Sequence, residues 1–241
     1  MKHYFATVIL CLSALGAGAQ EVRAPAVVVP QAEAVMSAQG DFQLMAFDYG
    51  AGEAFVEGAP LVRFDCALPQ ASLAAAEFEL SAARADTTSK TALLSRGGIG
   101  RTEVAIARAR LGAAEAEVQG ALALVKRCTI RAPFAGVVVE HLVNPFETVE
   151  AAQDVIQIIS NAQVEVDMIA PSAWLRWLKP GDLGMLALEE TGARYQVRIT
   201  ELSPVVDAVS RSIKVKAAFL ERPQNVRPGM SGAIEMEAPG G

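Results

Sequence analysis

The sequence predicts a mixed α and β protein in which a long antiparallel α-helical hairpin separates two β-rich segments. Large residues recur every seven positions in both helical stretches, at 73, 80 and 94 (with Thr87 in the same series) and at 104, 111, 118 and 125. A seven-residue apolar repeat in two consecutive stretches is typical of two helices packed along one seam. Outside this region, short alternating apolar and polar runs broken by glycine and proline predict β-strands.

The register of the hairpin follows from the Gly97-Gly98 pair. If the chain folds back there, residues whose numbers sum to 194 face each other, so that Leu73 meets Ala121 and Leu80 meets Ala114. Ala76 with Val118 and Ala83 with Leu111 complete a series in which each layer pairs a large residue with a small one, as close helix packing requires. We expect helices over 69–95 and 100–127, with arms of about 27 residues that span ~40 Å.

Two cysteines meet in the same register. Cys66 lies opposite Cys128 at the base of the hairpin, which leaves three interpretations: free buried thiols, a redox pair or a structural disulfide. A Cys-x-x-Cys motif does not occur, which argues against a redox pair. The shared register and an oxidising compartment favour a structural disulfide.

The β-rich segments differ in their organisation. The last segment combines enough strands and closely spaced turns to predict a small β-barrel over 162–238. A short helix from Ser172 to Leu178, with Trp174 and Trp177, is expected to end at Lys179-Pro180-Gly181. The strand runs are 26–29, 42–46, 54–57 and 61–64 before the hairpin, 129–139 and 155–159 after it, and 164–168, 195–199 and 233–237 in the last segment.

The N-terminus indicates export. Residues 1–19 combine a positive start at Lys2, an apolar stretch from Tyr4 to Leu15 and a small-x-small site at Ala17-Gly18-Ala19, the pattern of a signal peptide. A membrane anchor is the alternative, but the apolar stretch is shorter than the ~20 residues that a spanning helix needs. We therefore expect cleavage after Ala19 and a mature protein in the periplasm that begins at Gln20.

Composition excludes several classes of function. The net charge of −6 argues against a nucleic-acid partner. His141 is the single histidine outside the predicted signal peptide and has no partner motif, so no catalytic residue is predicted and the chain is not expected to be an enzyme. Two cysteines that are expected to pair and scattered methionines predict no metal site.

The order of the segments, together with several short motifs, resembles the periplasmic adaptors, or membrane fusion proteins, of tripartite efflux pumps. Residues 129–138 (TIRAPFAGVV) are similar to the second half of the family's lipoyl-like module, and 61–65 (LVRFD) to the end of the first half. Residues 178–181, 207–212 and 227–232 are similar to its barrel turns. The resemblance implies a split lipoyl-like β-module, formed by 20–65 and 129–161, around a hairpin of 66–128.

The resemblance also implies partners. It predicts an adaptor that links an inner-membrane efflux transporter to an outer-membrane channel and that assembles as a homo-oligomer. A periplasmic scaffold or binding protein that reuses these domains is the alternative, and a secretion-system adaptor is a third. The family's membrane-proximal domain is expected to be absent, because the first lipoyl-like half begins almost at the mature N-terminus and the last barrel strand almost reaches Gly241.

Two places are candidate partner-binding surfaces. Related adaptors touch the channel through an Arg, a Leu and a Ser at the hairpin tip, of which Leu93 matches the Leu, while Ser89 and Gly100 occupy the other two positions. The predicted channel-binding set is Leu93, Arg96, Gly97, Gly98, Ile99, Gly100 and Arg101, whose glycines would leave the tip adaptable. Trp174 and Trp177 are expected to cap one barrel end, with a transporter-facing surface as the alternative.

The β-module is predicted to carry no cofactor. A lipoyl or biotinyl carrier needs a lysine on an exposed turn, and the chain has none between Lys2 and Lys90 or between Lys126 and Lys179. We predict that the intact mass of the exported protein corresponds to the sequence from Gln20 less two hydrogens for the disulfide. An additional cofactor mass, or two thiols that react with a maleimide before reduction, would contradict this.

Overall fold

The computed structural model describes residues 20–160, 164–221, 223 and 225–238. The predicted signal peptide of residues 1–19 lies outside these ranges. Within them, no helix is long and apolar enough to cross a membrane. The described residues form two compact units, one of residues 30–160 and one that combines residues 20–29 with those from 164 onward.

The unit of residues 30–160 contains the hairpin and two small sheets, in strand order β2-β9-β7-β4 and β6-β5-β3-β8. Its elements are β2 (Glu33–Ser37), β3 (Phe42–Phe47), β4 (Ala54–Phe55), β5 (Pro60–Phe64), α1 (Ala67–Ser95), α2 (Arg101–Arg127), β6 (Thr129–Arg131), β7 (Gly136–His141), β8 (Thr148–Val149) and β9 (Asp154–Ser160).

The β-module is split by the hairpin, as the resemblance implied. The pairs β2–β9, β4–β7, β5–β6 and β3–β8 each join a strand that precedes the hairpin to one that follows it. Leu44, Leu61, Val62, Ile156 and Ile158 are fully buried, so both halves supply one shared core. Neither half can bury its apolar face without the other.

The predicted register of the hairpin is confirmed. Thr87 and Ala107, whose numbers sum to 194, are joined by a hydrogen bond of 3.1 Å from the Thr87 hydroxyl to the Ala107 carbonyl. The buried residues of the two helices all lie at predicted seam positions: Ala76, Val104, Ala107, Ala114 and Ala121. The helices begin at Ala67 and Arg101 rather than at 69 and 100, and Pro69 lies in the first turn, where its missing N–H costs nothing.

A disulfide joins Cys66 to Cys128, with their Cα atoms 5.6 Å apart. The bond closes the hairpin next to the β5–β6 pair, where the amide of Phe64 donates a 2.9 Å hydrogen bond to the Cys128 carbonyl. In the chain-entropy account, closing a loop of 62 residues stabilises the folded state by about 4 kcal/mol. This is a large contribution for a hairpin whose buried side chains are alanines and one valine.

The second unit is a closed barrel, as predicted, with strand order β1-β10-β13-β12-β11-β14. Its interior is filled by Met168, Leu186, Ile199, Ile213 and Ile234, all at most 1% exposed. The strands are β1 (Gln20–Pro30), β10 (Val164–Pro171), β11 (Leu183–Leu188), β12 (Arg194–Asp207), β13 (Ser212–Phe219) and β14 (Ser231–Ala238).

The structure corrects the predicted boundary of the first lipoyl-like half at 20–65. Strand β1 belongs to the barrel, because it pairs with β14 from Gln20 opposite Ala238 to Val27 opposite Ser231. Alternate residues of this strand, Ala24, Ala26 and Val28, are buried in the barrel core. The lipoyl-like half therefore starts after Pro30. The alternation of apolar and polar residues predicted a strand here. It could not identify the partner strand, β14, which lies about two hundred residues away.

The predicted helix over 172–178 is shorter and tighter than expected. Residues Ser172–Arg176 form a 3₁₀ helix, and the amides of Trp177 and Leu178 both donate to the Trp174 carbonyl. The helix ends at Arg176 rather than at the predicted Lys179-Pro180-Gly181, which forms a separate turn where Gly181 has a φ of +101° that favours glycine.

We predict that Ala24→Glu destabilises the barrel by ~3 kcal/mol or more, because it places an unpaired carboxylate in the closed core. Urea unfolding followed by tryptophan fluorescence measures this directly, since both tryptophans of the chain, Trp174 and Trp177, lie in the barrel. The matched control is Val27→Glu on the outer face of the same strand, which should change stability by less than ~1 kcal/mol. Equal effects of the two substitutions would contradict the closure of the barrel by β1.

Candidate functional site

The tip of the hairpin is a defined helix-ending turn. Gly97 has a φ of +73°, its amide donates to the Leu94 carbonyl at 3.0 Å, and the amide of Gly98 donates to the Leu93 carbonyl at 2.9 Å. These two bonds are those of the Schellman motif, which ends helices at a left-handed residue and satisfies their last carbonyls. The expectation of an adaptable tip needs correction here, because two of the three glycines have fixed roles in this turn.

The tip presents mainly cationic and apolar groups. Arg96 and Arg101 are exposed on either side of the turn, and Leu93 is 43% exposed. Ile99 is half-buried, so it contributes only part of the apolar surface expected of it. Gly100 precedes α2 in an extended conformation (φ −83°, ψ 160°) and has open space where a side chain would lie. All the predicted tip residues therefore fall within one short exposed turn, except that Leu93 lies in the last turn of α1.

The two tryptophans have different environments. Trp174 is 7% exposed and packs in the barrel core, with its ring centroid 5.3 Å from that of Trp177. Its burial favours the barrel-capping interpretation and leaves it no surface for a transporter. Trp177 is half-buried and borders an open groove of about 780 Å³ together with Asp182 and Met185, so it remains a candidate contact.

His141 lies in the β-module and has structural partners. Its ring stacks on Phe47 with centroids 3.7 Å apart, and its Nε2 donates a 2.9 Å hydrogen bond to the Tyr49 carbonyl. Because the stacking contact and the hydrogen bond both hold its ring, His141 fixes the end of β7 against the end of β3. Among the described residues, no group of three or more His, Cys, Asp or Glu side chains could hold a metal ion.

One barrel hairpin extends further than the alternating pattern of the sequence predicts. Strand β12 was predicted over 195–199 but continues to Asp207, because a register shift between Leu202 and Val206 accommodates Pro204. At its end the amides of Val209 and Ser210 donate to the Asp207 carboxylate, and these bonds, led by that from Ser210, hold the pKa of Asp207 below its usual value. Val209 is 96% exposed on this ordered turn. The motif 207–212 was the only signal in the sequence, and it marked the turn correctly.

The barrel matches a known domain family. Residues 163–240 match the family described as "CusB-like, beta-barrel domain". The match covers the barrel strands that follow the hairpin, while β1 and the lipoyl-like module lie outside it.

One curated relative matches most of the chain. The chain is 24% identical over 227 residues to "Nodulation protein NolF" of Rhizobium meliloti strain 1021, a match that covers 88% of this chain and 62% of NolF. Across the first curated relatives that it matches, the chain spans 44% to 62% of their length.

Solved structures share the fold over nine tenths of the chain. A MacA-MexA chimeric protein that contains the Pseudomonas aeruginosa MexA α-hairpin domain superposes with a TM-score of 0.83 at 17% identity, covering 91% of this chain and 81% of the chimera. The membrane fusion protein Spr0693 of Streptococcus pneumoniae R6 superposes with a TM-score of 0.76 at 18% identity, covering 90% of this chain and 99% of Spr0693.

The fold and the comparisons together define a class: the chain has the hairpin, split lipoyl-like module and barrel of the membrane fusion proteins. The resemblance stated from the sequence is thereby confirmed. More particularly, its barrel is similar to the CusB-like β-barrel domain.

The turn geometry makes a prediction at Gly97. Substituting Gly97 by Ala forces a side chain into a φ of +73° and should destabilise the hairpin by ~1–2 kcal/mol. Asn tolerates the left-handed region better, so Gly97→Asn should cost clearly less than Gly97→Ala. Denaturant unfolding followed by helical circular dichroism compares the two variants. Equal losses would show that the backbone conformation at Gly97 does not determine the stability of the turn.

Proposed function

We propose that this protein is a non-enzymatic periplasmic adaptor that links an inner-membrane efflux transporter to an outer-membrane channel. The observation that carries the proposal is the hairpin itself: arms of 29 and 27 residues place an exposed turn ~40 Å from a covalently closed base. Arms of this length are not needed to build a turn. They are suited to bring one small surface to a distant partner.

The proposal assigns the hairpin tip and the barrel to different partners. The tip, through Leu93, Arg96, Ile99 and Arg101, binds the channel, and the barrel binds the transporter through its exposed surfaces, including the side of Trp177. The lipoyl-like module acts as a rigid connector, which its shared core and its closed hairpin base support. Assembly as a homo-oligomer would place several tips side by side.

The disulfide supports a location in the periplasm. A bond between Cys66 and Cys128 persists in an oxidising compartment, which agrees with the export signal predicted in residues 1–19. The solved structures that share this fold include that of the periplasmic adaptor protein EmrA. A scaffold or binding protein that reuses the same domains would have this location too, so the partners decide between the two functions.

The tip provides the decisive test. The double variant Ile99→Asp with Gly100→Trp adds a charge and a bulky ring to the exposed turn, where Gly100 has free space, so folding and export should be retained. We expect co-purification of the outer-membrane channel and efflux to fall at least tenfold, while co-purification of the transporter persists. Crosslinked membranes and a drug-accumulation assay would measure these.

The matched control is Val56→Asp, which adds the same charge at a 69% exposed residue of the β-module away from the tip. It should leave channel binding unchanged. If the tip variant binds the channel as the wild type does, the tip is not the docking site. If neither a channel nor a transporter co-purifies with the wild type, the scaffold function replaces the adaptor.

A further inference from the structure

An open groove lies on one side of the barrel, where strands β11 and β14 stop pairing. The two strands are paired up to Met185, which stands opposite Glu235. Beyond that pair, Leu183 of β11 and Glu237 of β14 both line a groove of about 780 Å³, whose described lining residues all belong to the barrel unit. A volume of this size is typical of sites that hold a small molecule.

The groove carries an excess of negative charge. Four carboxylates line it, and Arg194 is the one basic residue among its described lining residues: the acids are Glu21, Asp182, Glu235 and Glu237. Arg194 forms an ion pair with Glu235, so those two charges compensate each other. The remaining carboxylates create a negative potential inside the groove, and such a potential attracts a cation.

Two of these carboxylates stand directly opposite each other. Glu21 of β1 and Glu237 of β14 are register partners in an antiparallel pair, and both are exposed. Side chains in this relation have Cβ atoms ~4.5–5.5 Å apart, and like charges there destabilise the sheet. Within the described ranges neither carboxylate has an ion-pair partner, and Arg23, two residues along β1, forms none either. A cation bound between the two glutamates would therefore relieve a repulsion that the barrel leaves uncompensated.

Apolar side chains border the same groove and indicate the kind of cation. Trp177 is half-buried at its edge, where packing against Trp174 at a centroid distance of 5.3 Å holds the ring in place. Met185 is half-buried and Met236 is 4% exposed, so the groove also has thioether groups. Indole rings attract cations, and quaternary ammonium ions are recognised in this way. A hydrated metal ion would gain little from these side chains, whereas an organic cation with apolar substituents would contact them.

We propose that this groove binds a lipophilic organic cation, such as a quaternary ammonium or phosphonium ion. The charge lies near Glu21 and Glu237, and the apolar substituents lie against Trp177 and Met185. The inference rests on the proposed function, for which it names the class of compound that is transported. Under that function, the groove holds the compound on the side of the barrel that is assigned to the transporter.

Isothermal titration calorimetry of the purified exported protein with tetraphenylphosphonium tests the requirement for positive charge. Tetraphenylborate is the matched control ligand, because it has the same four phenyl groups and the opposite charge. We expect the phosphonium ion to bind about tenfold or more tightly than the borate ion, because the groove is negative. Added salt should weaken phosphonium binding by screening the carboxylates. Equal affinities for the two ions would show that the groove is an apolar surface only, and absence of phosphonium binding would overturn the proposal outright.

Variants of the two opposed carboxylates test the location of the site. Glu21→Gln with Glu237→Gln removes both charges from exposed positions, so the barrel should fold, and its stability should rise as the repulsion is relieved. Phosphonium affinity should fall about fivefold or more, and Trp177→Leu should lower it about threefold. The matched control, Glu189→Gln with Glu201→Gln, removes two exposed carboxylates of the barrel unit that do not line the groove, and it should bind as the wild type does. Unchanged affinity of the first double variant would place the site elsewhere and refute the proposal.

Accumulation of the phosphonium ion in cells separates this inference from the proposed function. The Glu21→Gln, Glu237→Gln variant should accumulate more phosphonium than the wild type while the transporter and the channel still co-purify with it. If accumulation stays at the wild-type level, or if deletion of the whole protein does not raise it, the compound class is wrong and the adaptor function stands. If neither partner co-purifies with the wild type, the adaptor function fails, and the calorimetric comparison of the two ions still decides whether the groove binds a cation.

Discussion

The covalent closure of the hairpin at Cys66 and Cys128 is the constraint on which the rest of the structure depends. The seam between α1 and α2 is narrow, because it is lined by alanine, and its buried side chains contribute little apolar area. A two-helix hairpin of this kind would fray from its base if only packing held it. The disulfide restricts the conformations of the unfolded hairpin, and it joins the two arms where the chain leaves β5 and re-enters β6.

The split β-module holds both ends of the disulfide-closed hairpin in place. The two halves of the module are joined by four cross-pairings, so both ends of the hairpin emerge from adjacent strands of one sheet rather than from independent loops. The direction of the arms is therefore set by the sheet, and His141, stacked on Phe47 and bonded to Tyr49, ties the ends of β3 and β7 together. A long hairpin can hold its tip in a defined position only if its base is rigid.

Local patterns predicted the hairpin well and the barrel only in part. The seven-residue repeat fixes which residues of two consecutive helices meet, so the Thr87–Ala107 contact and the juxtaposition of Cys66 and Cys128 followed from counting. The place of β1 in the barrel did not follow from the sequence. Alternation shows that a strand has a buried face but not which sheet buries it, and its partner β14 lies at the other end of the chain. Trp174 illustrates the same limit, because its residue type fits both a core and a contact surface. Gly97 was predicted as a turn residue, but the two hydrogen bonds that fix it depend on geometry.

The small size of the tip limits how tightly one copy of the protein could bind the proposed partner. The turn from Arg96 to Arg101 comprises six residues, far fewer than the ~20–30 per side of a standard interface, so a single tip can bind its partner only weakly. Several tips held together at fixed spacing raise the effective concentration of each one after the first has bound. The homo-oligomer of the proposed function would hold several tips together in this way. The small exposed tip and the covalently closed base are thus consistent with one arrangement, in which assembly of several copies compensates for the small area of each tip.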